Sequence, residues 1–137
     1  MKILLVDDDY LLAKGTAKLI ECLSKYSVAL ADEPAEIFRR CQSGEVDVVL
    51  MDVNLPGAYW GQEEVSGTDI ARMLKTDPKT AYIPIILLTA YALLSERTKL
   101  LEASLAEALY TKPVTDYEEL LGLITQLYEA SQQQRQL

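Results

Sequence analysis

The chain contains no histidine. That removes every mechanism in which an imidazole of this chain acts as base, nucleophile or metal ligand. Cysteine is almost as scarce. Cys22 and Cys41 are too few for a disulfide framework, and no secretory apolar stretch with a small-residue cleavage site opens the chain. The two therefore read as reduced thiols of a cytoplasmic protein. No apolar run approaches the roughly 20 residues that cross a bilayer. Positive charge is also in deficit, with 13 Lys and Arg against 21 Asp and Glu and a net charge of −8. Direct binding to nucleic acid or to an acidic membrane surface is not expected, because both need cationic residues in excess. With 6 Gly and 5 Pro, the composition fits neither a fibrous nor a low-complexity chain.

What is present suits one domain. Half of the 137 residues are apolar, enough for a single core. Short apolar runs rich in Val and Ile predict strands at Ile3 to Val6, Val28 to Ala31, Val46 to Met51, Ile83 to Leu88 and Ala108 to Tyr110. Helical spacing fills the intervals, over Leu12 to Leu23, Ala35 to Cys41, Ile70 to Leu74, Leu93 to Leu101 and Leu120 to Tyr128. Pro34 stands at a helix start and Gly44 just past a helix end, where each residue fits. Strict β–α alternation predicts an α/β protein, a parallel sheet covered by helices on both faces. In such sheets ligand sites lie beyond the carboxyl ends of the strands.

Those strand ends carry the chemistry. The first ends in Val6-Asp7-Asp8-Asp9, the third in Met51-Asp52-Val53-Asn54, the fourth in Leu88-Thr89-Ala90 and the fifth in Tyr110-Thr111-Lys112-Pro113. Singly, each has an ordinary reading. An Asp after a strand most often caps a helix, and Asp9 is expected to do so. Together they gather several carboxylates, a hydroxyl and an ammonium on one edge. Asp7, Asp8 and Asp52 brought close would repel, and a hard divalent cation such as Mg²⁺ relieves that conflict. Thr89 can donate to a phosphoryl oxygen and Lys112 can pair with another. A carboxylate can serve as nucleophile and form an aspartyl phosphate, and Asp52 is the candidate.

These residues resemble the receiver domain of bacterial response regulators in two-component signal transduction. The resemblance covers about residues 1–130, leaving 131–137 as a polar tail or the start of a linker helix. It rests on Val6-Asp7-Asp8, Met51-Asp52-Val53-Asn54-Leu55-Pro56, Thr89-Ala90 and Lys112-Pro113, with Tyr110 at the position of the family's switch aromatic. The resemblance implies a doubly wound, flavodoxin-like fold: a five-stranded parallel sheet of order 2-1-3-4-5 with five helices and a cis bond before Pro113. It implies that Asp52 accepts a phosphoryl group from a phosphohistidine on a histidine kinase or phosphotransfer protein. Asp7, Asp8, Asp52 and the Asn54 carbonyl would hold Mg²⁺, with Thr89 and Lys112 assisting. Thr89 and Tyr110 would then switch the face formed by the fourth helix, fifth strand and fifth helix, where a downstream protein docks. Such a domain is a signalling phosphoprotein and not a turnover enzyme.

Two departures from the family pattern stand out. Residues 57–65 lengthen the loop after Asp52 before the usual Gly, here Gly67, and Ser104 replaces a frequent Gly. Tyr59 and Trp60 in that loop are expected either to pack on the first or third helix or to flank the site and restrict access to it. Two rival readings fit the sequence less well. A phosphorylation-independent binding module would have lost one of the key residues, and all are present. A phosphatase would carry an acid two residues past the nucleophile, where Asn54 stands. Finally, Leu123, Leu127, Ala130, Gln134 and Leu137 follow coiled-coil spacing. The last helix either ends near Glu129 or continues past Ser131 as a signalling helix or a contact with a second copy. On the latter reading the chain is cut from a longer regulator or dimerises through this helix; on the former it is a stand-alone receiver.

Overall fold

The computed structural model describes residues 1–90 and 93–135. Five strands, β1 (Lys2–Val6), β2 (Ser27–Ala31), β3 (Val48–Asp52), β6 (Ile85–Thr89) and β7 (Ala108–Thr111), form one parallel sheet. A two-stranded hairpin, β4 (Tyr59–Trp60) and β5 (Glu63–Glu64), stands apart from it. The sheet order β2-β1-β3-β6-β7 is the expected 2-1-3-4-5 once the hairpin is set aside. The helices are α1 (Tyr10–Leu23), α2 (Pro34–Gln42), α3 (Gly67–Thr76), α4 (Leu94–Ser104) and α5 (Tyr117–Arg135).

Successive strand residues point to opposite faces, and both faces are covered, so the central strands are apolar throughout. Ile3, Leu5, Val48 and Leu50 pack with Ala13, Ile20, Leu120 and Ile124 on the α1/α5 side. Leu4, Val6, Val49 and Met51 pack with Ile37, Ile70 and Leu74 on the α2/α3 side. Cys41 is buried on that second side, its thiol pushed up to about 12 by burial and by nearby Glu45, which leaves it inert as a nucleophile.

Helix ends follow local chemistry. Asp9 caps α1 by accepting from the Leu12 N–H at 3.2 Å. Pro34 opens α2, and Gly44 follows it at φ 85°. Ser66 and Asp69 cap α3 reciprocally. The fourth sheet strand begins at Ile85 and not at Ile83, because Pro84 has no N–H to give the ladder. Directly after Ser104, α4 ends on Leu105 at φ 62°, a left-handed leucine that costs about 1–2 kcal/mol. Buried Ser104 supports that turn by accepting from the Ala106 N–H.

The added loop packs differently from expectation. The Trp60 ring meets Phe38 of α2 at 4.7 Å, so the hairpin leans on the second helix, with Met73 of α3 across the same groove. Helix α5 continues past Ser131 to Arg135, but Leu123 and Leu127 are half-buried on the α1/α5 core and form no free seam. Leu137, the last position of that spacing, lies outside the described residues.

Candidate functional site

The carboxyl ends of β1, β3, β6 and β7 converge on an open cleft of about 300 Å³. Its lining includes Asp7, Asp8, Asp52, Asn54, Thr89 and Lys112, joined by Asp9, Leu12, Val53, Pro56 and Ala90. Parallel register explains the convergence. β1 pairs Val6 with Met51 of β3, and β3 pairs Asp52 with Leu88 of β6, so the next residues on each strand emerge together. The Lys112 N–H donates to the Thr89 carbonyl at 2.8 Å, which carries the ladder one step further and sets the lysine beside the acids. The Lys112–Pro113 bond is cis.

Oxygens of Asp7, Asp8 and Asp52 lie within 4.8 Å of one another. Asp7 and Asp52 are buried, whereas Asp8 is exposed. Each buried carboxylate is aimed by a backbone donor. The Asp9 N–H reaches Asp7 Oδ1 at 2.9 Å, and the Asn54 N–H reaches Asp52 Oδ1 at 3.0 Å. Lys112 Nζ bridges the other oxygens, at 2.9 Å from Asp52 Oδ2 and 3.5 Å from Asp7 Oδ2. Burial lifts the Asp7 carboxyl above its ordinary range, and the charge of Asp52 adds to this, against the Asp9 N–H and Lys112. Burial lowers the lysine, but its bonds and charge contacts with Asp52 and Asp7 outweigh it, and Lys112 ends above its ordinary value.

The fit to a divalent metal can be judged from this donor set. Three hard carboxylates face one ammonium, and the excess negative charge suits Mg²⁺ with its remaining positions open to water or phosphate.

Tyr110 does not join the cleft. Its ring is half-buried on the α1/α5 core, and its hydroxyl donates to the Asp116 carbonyl at 3.2 Å. Burial, then the charges of Glu119 and Asp116, raise its phenol. Thr89 is buried at the rim of the cleft. The cleft lining ends at Pro56, so among the described residues none of 57–65 contributes to it.

Sequence reasoning treated Gly67 only as a landmark. A Cβ there would lie 1.8 Å from the Asp52 carbonyl oxygen, so only glycine lets α3 start against the end of β3. The Gly67 N–H bonds the Val53 carbonyl at 2.9 Å. Leu12 was also missed. It lines both the acidic cleft and an adjoining apolar one with Thr16, Val114 and Tyr117, and its signal was an apolar pair in the first turn after a helix cap.

A doubly wound sheet with a cation-ready acidic cleft at its carboxyl edge defines the class of flavodoxin-like signalling domains. The model of the response regulator receiver domain matches residues 3–125, and the chain belongs to that family. It is 29% identical over 113 residues to the polar-differentiation response regulator DivK of Brucella ovis, covering 82% of this chain and 85% of that protein. It is 30% identical over 127 residues to a gliding motility regulatory protein of Myxococcus xanthus, spanning 93% of this chain but 15% of that longer protein. Among solved structures, the receiver domain of a sensor histidine kinase from Pseudomonas aeruginosa, with a magnesium ion coordinated in its active-site cleft, superposes with a TM-score of 0.76. That pair shares 26% identity and covers 93% of this chain and 97% of the other. Receiver domains work between histidine kinases and downstream effectors in two-component systems. No helix among the described residues is long and apolar enough to cross a membrane.

Proposed function

We propose that this receiver takes a phosphoryl group onto Asp52 from the phosphohistidine of a histidine kinase or phosphotransfer protein, and that the reaction depends on Mg²⁺. The observation that carries the reading is the convergence of Asp7, Asp8 and Asp52 about the single ammonium of Lys112. Asp7, Asp8, Asp52 and the Asn54 carbonyl would hold the metal, which when bound offsets charge on the phosphoryl oxygens. A carboxylate oxygen of Asp52 attacks phosphorus in line with the leaving imidazole nitrogen. The P–O bond forms as the P–N bond breaks, and the electron pair leaves with the donor's ring. Lys112 supplies positive charge to a phosphoryl oxygen, and the hydroxyl of Thr89 donates to another. Backbone donors at Asp9 and Asn54 keep the carboxylates oriented throughout.

Phosphate adds about −1.5 to −2 charge at Asp52. Thr89 and Tyr110 respond as the switch, and the face of α4, β7 and α5 presents the change to a downstream protein. On this reading the chain is a cytoplasmic acceptor whose only chemistry is its own phosphorylation and dephosphorylation. Incubation with a small acyl phosphate and Mg²⁺ should add the mass of one phosphoryl group, and Asp52→Asn should add none. Labelling of that variant at the wild-type rate would overturn the acceptor. A wild-type chain that stays unlabelled would favour a binding module that works without phosphate.

A further inference from the structure

The hairpin inserted after β3 is a built surface with no role in the acidic cleft. Its base is rigid. Ala58 and Val65 are buried, the Val65 N–H bonds the Ala58 carbonyl at 2.9 Å, and Gly57 and Gly61 make the turns at φ 78° and 65°. Its outer arm nevertheless leaves two large aromatic side chains in water, Tyr59 at 53% exposure and Trp60 at 45%. Rigid, exposed aromatics offer contact area at little entropic cost, which is why interfaces favour them.

Each aromatic borders its own depression. Trp60 forms one wall of an open groove of about 390 Å³ floored by Ala35, Phe38 and Met73. Arg39, Gln42 and Asp77 complete its lining; Arg39 has Glu36 beside it at 3.9 Å, and the Gln42 amide donates to Asp77 at 3.3 Å. Tyr59 borders a second cleft, of about 400 Å³, shared with Asp32, Glu33 and Pro34. Asp32 and Glu33 are exposed, as are Glu63 and Glu64 on the hairpin's other arm, and none of the four has an ion-pair partner among the described residues. The arrangement therefore offers an apolar floor with a charge-paired rim on one side of the aromatic pair, and unpaired carboxylates on the other.

We propose that the hairpin and the start of α2 form a docking surface for a basic, amphipathic segment of a partner protein. An apolar side chain of that segment enters the Trp60–Phe38–Met73 groove. A Lys or Arg lies in the second cleft against the Tyr59 ring and the Asp32 and Glu33 carboxylates, where cation–π and ionic attraction act together. Charge complementarity selects this occupant. A second copy of the chain carries the same net charge of −8, and an acidic segment would face four unpaired carboxylates against one cation, Arg39, that already has Glu36 beside it. The surface is independent of the phosphoryl chemistry and serves a partner whether or not Asp52 is modified.

Trp60 is the only tryptophan in the chain, so its emission reports on the groove directly. The full chain is titrated with three short probe peptides: one with leucines on one face and lysines on the other, its Leu/Glu counterpart, and a Lys/Ser peptide. The Leu/Lys peptide should give a saturable blue shift and the other two should not. Tyr59→Ser, which leaves the net charge unchanged, should weaken that binding about two- to fivefold, the loss of one exposed cation–π contact. Asp32→Asn with Glu33→Gln should weaken it further, whereas Glu118→Gln with Glu129→Gln, an equal change of charge on α5, should not. Equal weakening by the two charge-matched pairs would mean general attraction to an acidic protein and would overturn the proposal. So would a shift produced by the Leu/Glu peptide, or a concentration-dependent shift in the absence of peptide, which would mark self-association.

Discussion

Lys112 and Lys75 occupy opposite ends of the same sheet and are bonded in opposite ways. Lys75, at the amino end of β6, donates to the Ala81 carbonyl at 2.7 Å, to the Ile83 carbonyl at 3.1 Å and to the Glu107 carboxylate. Its three donors are used, and the other oxygen of Glu107 accepts the Ile85 N–H at 2.8 Å, so the cluster closes on itself. Lys112, at the carboxyl edge, meets two buried carboxylates and has a third beside them. The first cluster is saturated and balanced; the second keeps a surplus of negative charge and an open side. A closed ion pair and one open to a ligand are thus told apart by what is left over, not by the residue types involved. Side-chain exposure runs the same way, 11% for Lys75 and 24% for Lys112.

The largest test of that difference is Lys112→Ala. It should slow acyl-phosphate labelling of Asp52 by about 10²–10³-fold, the usual effect of removing one charge-stabilising donor, as followed by intact mass against time. Lys75→Met, assayed where it is folded, should label at the wild-type rate, and a matching collapse would erase the distinction. Next in size is the stability of Lys75→Met. Leaving Glu107 and two carbonyls without their cation should cost about 2–3 kcal/mol in urea unfolding, below the full value for a buried pair because Glu107 is partly exposed. Lys112→Ala should lose less, since the open side admits water to the carboxylates. Gly67→Ala joins scaffold to site: its Cβ must displace the Asp52 carbonyl, which should cost about 1–3 kcal/mol and also weaken Mg²⁺ binding measured by calorimetry. Gly122→Ala, where open space surrounds the Cβ, should do neither.

The smallest effect concerns pH. The Asp7 carboxyl is raised in the folded chain above its ordinary 3.8. The fold therefore favours the protonated form, and the stability this contributes is full below 3.8 and lost as pH rises through the raised value. Without metal, Asp7→Asn should shift the urea midpoint upward relative to wild type, with a gain that grows across that window and then levels off. Saturating Mg²⁺ should cancel the gain, because the metal binds the carboxylate and stabilises only the chain that has it.

The cleft was legible in the sequence because its polar residues stand at or just past the ends of apolar runs, as Asp52 follows Val48 to Met51. Parallel register then brings such ends together without any further signal. The Lys75–Glu107 cluster was not legible, since its partners are 32 residues apart and Glu107 precedes its strand, at the amino end, away from the carboxyl ends where a site is expected. The hairpin escaped for a different reason. Two-residue strands, one of them Glu63–Glu64, show no alternation, and only Gly57 and Gly61 hinted at its turns. Its seat on α2 depends on Phe38, the single phenylalanine, whose place in a helical apolar stripe gives no hint of an outside partner.

Helix α5 is held at both of its ends. Asp116 accepts from the Glu119 N–H at 3.0 Å through its side chain, while its carbonyl receives the Tyr110 hydroxyl. Some 19 residues later, the Arg135 guanidinium lies 4.2 Å from the centre of the Tyr82 ring. Helix ends ordinarily fray first, and their amides exchange fastest. A helix about 28 Å long and pinned at each terminus opens less readily from its tip. Amide protons of the last turn should therefore exchange more slowly than in Tyr82→Ala, and a loosening of the Asp116 end should be felt along the whole rod.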